Sequence, residues 1–124
     1  MTPGAFTTGH VPGSFFGAMP SMRPAREETF GPVAALFRFE TSEVVRLAND
    51  TEFGLAACFF ARDVGQVYRV AEALEYGMVG INTGPISSEV APFGGIKQSG
   101  QGREGGRQGI DDYPETKYLC LGGV

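Results

Sequence analysis

Three short, almost uninterrupted apolar runs constrain this chain most: Val33-Ala34-Ala35-Leu36-Phe37-Arg38-Phe39, Leu55 to Ala61, and Met78-Val79-Gly80-Ile81. A strand with one face in water alternates apolar and polar residues. A run without alternation suits a strand covered on both faces, as in parallel sheets. The segments between the runs have helical spacing. Thr41 or Ser42 can cap a helix through Asn49, with Val44, Val45, Leu47 and Ala48 on one apolar face. Gly54 leads into the second strand. Asp63 caps a second helix, with Gln66 at the capping-box position and Val64, Val67, Ala71 and Leu74 as its inward stripe. Gly77 is expected to end that helix in the left-handed conformation. Strand, helix, strand, helix, strand with short connections predicts an α/β fold of three parallel strands with crossover helices.

The flanks read differently. Residues 1–26 hold Pro3, Pro12, Pro20 and Pro24 among Gly4, Gly9, Gly13 and Gly17, with neither helical nor strand periodicity. They are expected to be an irregular leader, from a shifted reading frame in preference to a native flexible arm. After Asn82 a glycine-rich passage runs to Gly109, following the carboxyl end of a parallel strand, where open α/β sheets place ligands. Thr116 to Leu121 reads as a final strand. Pro114 just before it suits only a strand start or an edge.

Composition removes several functions. The net charge of −4 and the scattered basic residues argue against nucleic acid as a partner. No apolar run approaches the ~20 residues of a membrane span. The start also lacks the basic and apolar regions of a signal peptide, so a cytoplasmic location is expected. Cys58 and Cys120 sit in apolar runs without metal or redox spacing, and are expected to be buried thiols. His10 has no partner with which to build a triad or a zinc site. No metal is expected. Gly100-Gln101-Gly102-Arg103-Glu104-Gly105 satisfies the G-x-G-x-x-G dinucleotide pattern, but no strand runs into it and no βαβ unit can follow. Its glycines suit a loop lying close to packed backbone, with Arg103 and Glu104 expected to pair by charge.

Pro92-Phe93-Gly94-Gly95-Ile96-Lys97-Gln98-Ser99-Gly100-Gln101-Gly102-Arg103-Glu104, together with Glu28-Thr29-Phe30-Gly31-Pro32, resembles the two signature stretches that close the aldehyde dehydrogenase catalytic domain. The tail, Asp111-Asp112-Tyr113 and Lys117-Tyr118-Leu119-Cys120-Leu121-Gly122-Gly123, is similar to the succinate-semialdehyde dehydrogenase branch of that family. The resemblance runs from about Ala25 to the last residue. It implies that residues 27–110 are the C-terminal part of the catalytic domain, and 111–124 an oligomerisation strand and tail of a homo-oligomer. Phe15-Phe16 resembles a pair that the family carries upstream of the first signature, at a different spacing.

The resemblance also implies roles. Glu28 would bind the nicotinamide-ribose hydroxyls of NAD or NADP, a carboxylate offering acceptors to two adjacent donors. Phe30 would pack beside the same ribose and nicotinamide. Ser87, in Ile86-Ser87-Ser88-Glu89-Val90-Ala91-Pro92-Phe93, would donate a hydrogen bond to the carboxylate of the semialdehyde, with arginines elsewhere in the enzyme. Phe93 would form an aromatic wall of the aldehyde tunnel. Pro85 departs from the bulkier apolar residue of the family. The implied reaction oxidises succinic semialdehyde to succinate: a cysteine attacks the aldehyde, hydride leaves to NAD(P)+, and glutamate-activated water hydrolyses the thioester. No segment matches the family's catalytic-cysteine motif, its general-base glutamate or its dinucleotide-binding loop, so no catalytic residue is assigned. The sequence leaves open a non-catalytic assembly role and a related semialdehyde as substrate.

Overall fold

The computed structural model describes residues 14–19, 21–28 and 30–123, so His10 lies outside the described residues. The chain divides into two compact units, 1–44 and 45–124.

In the first unit, β1 (Ser14–Phe16) pairs in parallel with β2 (Ala34–Leu36), Ser14 opposite Ala34 and Phe16 opposite Leu36. The Ala18 amide extends the ladder to the Leu36 carbonyl at 3.1 Å. The stretch expected to be irregular therefore supplies a strand. A ladder is made by main-chain groups, and three residues are too few to show side-chain periodicity. A 3-10 turn over Arg23–Ala25 has Pro24 in its first turn, where a missing N–H costs nothing. The Arg23 guanidinium clasps the Glu27 carboxylate, Nη2 to Oε2 at 2.7 Å, and this bond raises the arginine pKa further.

The second unit begins within α1 (Val44–Asn49) and continues through β3 (Phe53–Gly54), β4 (Ala56–Phe59), α2 (Val64–Ala73), β5 (Met78–Ile81) and β6 (Ile96–Lys97). β4 and β5 pair in parallel across α2, with Ala56 opposite Met78 and Phe59 opposite Ile81. Two of the three expected parallel strands are thus joined by a crossover helix. The remaining run, residues 33–39, supplies β2, whose ladder partner is β1. An apolar run announces a strand, but not its neighbour. β3 and β6 form an antiparallel pair that no periodicity signalled, because each is two residues long.

Asp63 caps α2 as expected, its Oδ1 accepting from the Gln66 amide at 2.6 Å. Val67, Val70, Ala71 and Leu74 are half-buried, whereas Val64, placed on the inward stripe by spacing, is 67% exposed. Gly77 does not end α2. The helix stops at Ala73, with Leu74 already extended (φ −75°, ψ 128°), and Gly77 is absent from the positive-φ residues.

Among the described residues no hydrophobic side chain is fully buried; the buried positions are Gly54, Gly80 and Gly95. Close approaches in the second unit fall at glycines: side chains meet Gly54, Gly80 and Gly95, and main chain meets Gly77. A Cβ on Gly77 would fall on the Gly94 carbonyl oxygen, with Gly95 Cα 2.9 Å away. Cys58 and Cys120 are both exposed, contrary to the expected buried thiols. An apolar run predicts burial only if something covers it, and here β4 alternates exposed and half-buried residues, with Phe60 just beyond it 75% exposed. Residues 114–123 hold neither strand nor helix, so the expected final strand is not formed. A strand needs a neighbouring edge, and none of the described residues pairs with this segment.

Candidate functional site

The candidate site grows from the carboxyl end of β5. Ile81 closes the β4–β5 ladder, and Asn82 turns the chain out of the sheet with φ 56°. The loop then crosses the sheet end through Thr83, Gly84, Pro85 and Ile86. Thr83 Oγ1 donates to the Pro85 carbonyl at 3.2 Å, and the Cys58 thiol points at the Gly84 carbonyl at 3.8 Å. Gly80 has to be glycine for this passage, since a Cβ there would lie 2.6 Å from Ile86 Cγ2 and 3.0 Å from the Thr83 oxygen.

Beyond Ile86, residues 88–91 make a turn, the Ala91 amide donating to the Ser88 carbonyl at 3.2 Å. Phe93 and Glu104 exchange both main-chain hydrogen bonds at 2.7 Å, so two remote parts of the glycine-rich passage form one narrow ribbon. The passage is therefore structured where a plain loop was expected. Gly105 closes the ribbon at φ 65°, and a Cβ there would sit 2.9 Å from the Ala91 carbonyl.

Ser87, Ser88, Glu89, Phe93, Glu104 and Gly105 line an open cleft of about 410 Å³. The two residues expected at the substrate, Ser87 and Phe93, meet there. The Ser87 hydroxyl is exposed and bonds to no described residue. Glu89 and Glu104 had no part in the expected site, and no basic side chain lines the cleft. The cleft carries negative charge, so an acidic ligand needs cations from outside this lining.

Arg103 does not pair with Glu104. Its Nη1 donates to the Gly95 carbonyl at 2.8 Å and the Gly102 carbonyl at 2.6 Å, tying the ribbon's second arm to the first. The first arm is anchored by Lys97, an exposed residue at φ 55° whose side chain is largely covered. Its Nζ donates to the Asn49 carbonyl at 3.1 Å and the Thr51 carbonyl at 3.3 Å, and meets Glu75 Oε2 at 2.7 Å. Asn49 returns the connection: its amide donates to the Ala73 carbonyl at 2.8 Å and its oxygen accepts from the Glu75 amide at 2.9 Å.

In the first unit, Glu28 is exposed and bonds to no described residue. Phe30 is 92% exposed and holds φ 45°, a left-handed backbone that is costly for a bulky side chain.

A parallel strand–helix–strand unit followed, beyond its carboxyl end, by a polar cleft is an α/β arrangement. Comparison with known proteins supplies the family. The description "Aldehyde dehydrogenase family" matches residues 8–119, and the chain belongs to that family. The matched span begins within the stretch read as a leader. The chain is 62% identical over 104 residues to a 3-sulfolactaldehyde dehydrogenase of Pseudomonas putida, covering 83% of this chain and 21% of the relative. It is 66% identical over 105 residues to a probable NADP+ succinate-semialdehyde dehydrogenase of Sinorhizobium fredii, covering 84% of this chain and 21% of the relative. The crystal structure of succinate-semialdehyde dehydrogenase from Burkholderia pseudomallei superposes with a TM-score of 0.84 at 64% identity, covering 98% of this chain and 26% of that one. The chain spans about a fifth of the length of the curated relatives it matches.

Proposed function

We propose that this chain is part of an NAD(P)+-dependent succinate-semialdehyde dehydrogenase, in which it supplies one wall of the aldehyde site and one contact to the cofactor. The observation that carries the reading is the shared cleft of Ser87 and Phe93, with the Ser87 hydroxyl free to donate. A hydroxyl donor distinguishes an acid-bearing aldehyde from a plain one, because a desolvated carboxylate without partners is costly. Phe93 offers an apolar flank to the methylenes between the two ends of the substrate. Glu89 and Glu104 would repel the carboxylate, so the balancing charge comes from arginines elsewhere in the enzyme. The relatives' names support an anionic aldehyde: one names a semialdehyde of succinate, the other a sulfonate-bearing aldehyde.

Glu28 would accept from the ribose hydroxyls of NAD or NADP and Phe30 would lie against the ribose and nicotinamide, holding a group that would supply the hydride acceptor. The enzyme is a cytoplasmic homo-oligomer in this reading, and the exposed Tyr118, Leu119 and Leu121 support an assembly role for residues 111–124. Among the described residues, no helix is long and apolar enough to cross a membrane.

The test is Ser87→Ala in a complete aldehyde dehydrogenase carrying this segment. Loss of a hydrogen bond to a charged partner should cost roughly 1.5–3 kcal/mol, about one to two decades in kcat/KM. The penalty should fall on succinic semialdehyde and spare an uncharged aldehyde of similar length. Equal losses on both would show that Ser87 shapes the loop and does not read the acid. A normal response to succinic semialdehyde would remove the substrate assignment.

A further inference from the structure

We propose that Asn82 is a positioning residue whose side chain clamps the carboxyl ends of β4 and β5 and so sets where the Ser87 loop leaves the sheet. The Asn82 amide makes a last ladder bond, donating to the Phe59 carbonyl at 2.9 Å. Its backbone then turns left-handed, at φ 56°, and the main chain departs. The side chain takes over the next rung. Asn82 Oδ1 accepts from the Ala61 amide and Asn82 Nδ2 donates to the Ala61 carbonyl, both at 2.9 Å. A carboxamide has the donor and acceptor of a peptide group in one plane, so it substitutes for a strand residue while the chain turns away.

Asparagine meets both demands of the position. It tolerates the left-handed region better than other side-chain-bearing residues. Aspartate lacks the donor, and glutamine is one methylene longer. The clamp reaches across 21 residues of sequence. Ser87 lies five residues beyond it, after Ile86 has passed over Gly80. A change in the exit direction at Asn82 therefore moves the Ser87 hydroxyl relative to Phe93. The consequence for specificity rests on the Ser87 reading above; the clamp itself does not.

Asn82→Gly keeps the left-handed backbone accessible and deletes only the side-chain bonds, whereas Asn82→Asp keeps the acceptor for Ala61 and loses the donor. Amide exchange in this chain, at dilute concentration, reads the clamp directly. Asn82→Gly should lower protection of the Ala61 amide by roughly tenfold and speed exchange across residues 83–89, while the Cys58 and Gly80 amides keep theirs. Asn82→Asp should loosen residues 83–89 while retaining protection at Ala61. Unchanged exchange over 83–89 in both variants would overturn the clamp. In a complete enzyme carrying this segment, Asn82→Gly should lower kcat/KM for succinic semialdehyde by about tenfold, mainly through KM, relative to an uncharged aldehyde. An equal loss on both aldehydes would overturn the positioning role. If Ser87→Ala has no effect while the exchange result holds, the substrate reading fails and the clamp stands.

Discussion

Replacing Gly77 with alanine places a methyl group on the Gly94 carbonyl oxygen, with the Gly94 carbon and Gly95 Cα each 2.9 Å away. All three neighbours are main chain, so no side chain can swing aside. Relief requires moving residues 94–95 away from β5, and their neighbour Ile96 is paired with Gly54. Gly54 in turn accepts from the Gly77 amide at 2.9 Å. Overpacking of this kind costs about 1–3 kcal/mol, and losing one such hydrogen bond adds about 1 kcal/mol, giving roughly 2–4 kcal/mol. For a chain of this size that is a fall in Tm of about 10 °C or more. Gly84→Ala is the control: its Cβ would meet nothing within 4 Å and its φ lies outside the left-handed region. It should be neutral or stabilising by up to about 1 kcal/mol. Thermal unfolding followed by circular dichroism at low micromolar concentration, with amide exchange at Ile96, measures both. Gly77→Asn separates two explanations. A left-handed cap would tolerate asparagine, whereas a close approach rejects it more strongly than alanine. A Gly77→Ala chain as stable as the wild type, or a rescue by asparagine, would refute the close-approach argument.

Three further outcomes are expected. The chain by itself should produce no NADH or NADPH from succinic semialdehyde, because no segment matches the family's catalytic-cysteine motif and Cys58 sits in a strand; protein-dependent cofactor reduction by purified material would contradict this. The chain should bind a hydrophobic dye and self-associate as its concentration rises, since Phe60 and Val64 stand open beside the β4–β5 pair; a dye-silent monomer across that range would show that these faces are covered. Lys97→Met should destabilise the second unit by about 1–2 kcal/mol and raise amide exchange at Gln98, because it releases the Asn49 and Thr51 carbonyls and strands Glu75; an unchanged exchange pattern would remove Lys97 as the anchor of the ribbon.

The sequence by itself determined what is local. The Asp63 cap, the β4 and β5 runs and the half-buried positions of α2 follow from spacing and residue chemistry within one or two turns. The signature residues singled out Ser87, Phe93, Glu28 and Phe30, and the tertiary structure brought the first two to one cleft. It also decided everything that depends on a remote partner. Gly77 was legible as a necessary glycine, but for helix termination; the actual reason, the Gly94 carbonyl, lies 17 residues away. Lys97 reaches back 48 residues to Asn49, and Asn82 reaches 21 to Ala61. The charge on the cleft came from Glu89 and Glu104, which the fold brings to one lining. Periodicity records which face of an element is apolar. It carries no record of which segment will lie against it, and among the described residues the closest approaches fall at glycines, where a remote side chain or main-chain oxygen takes the space a Cβ would fill.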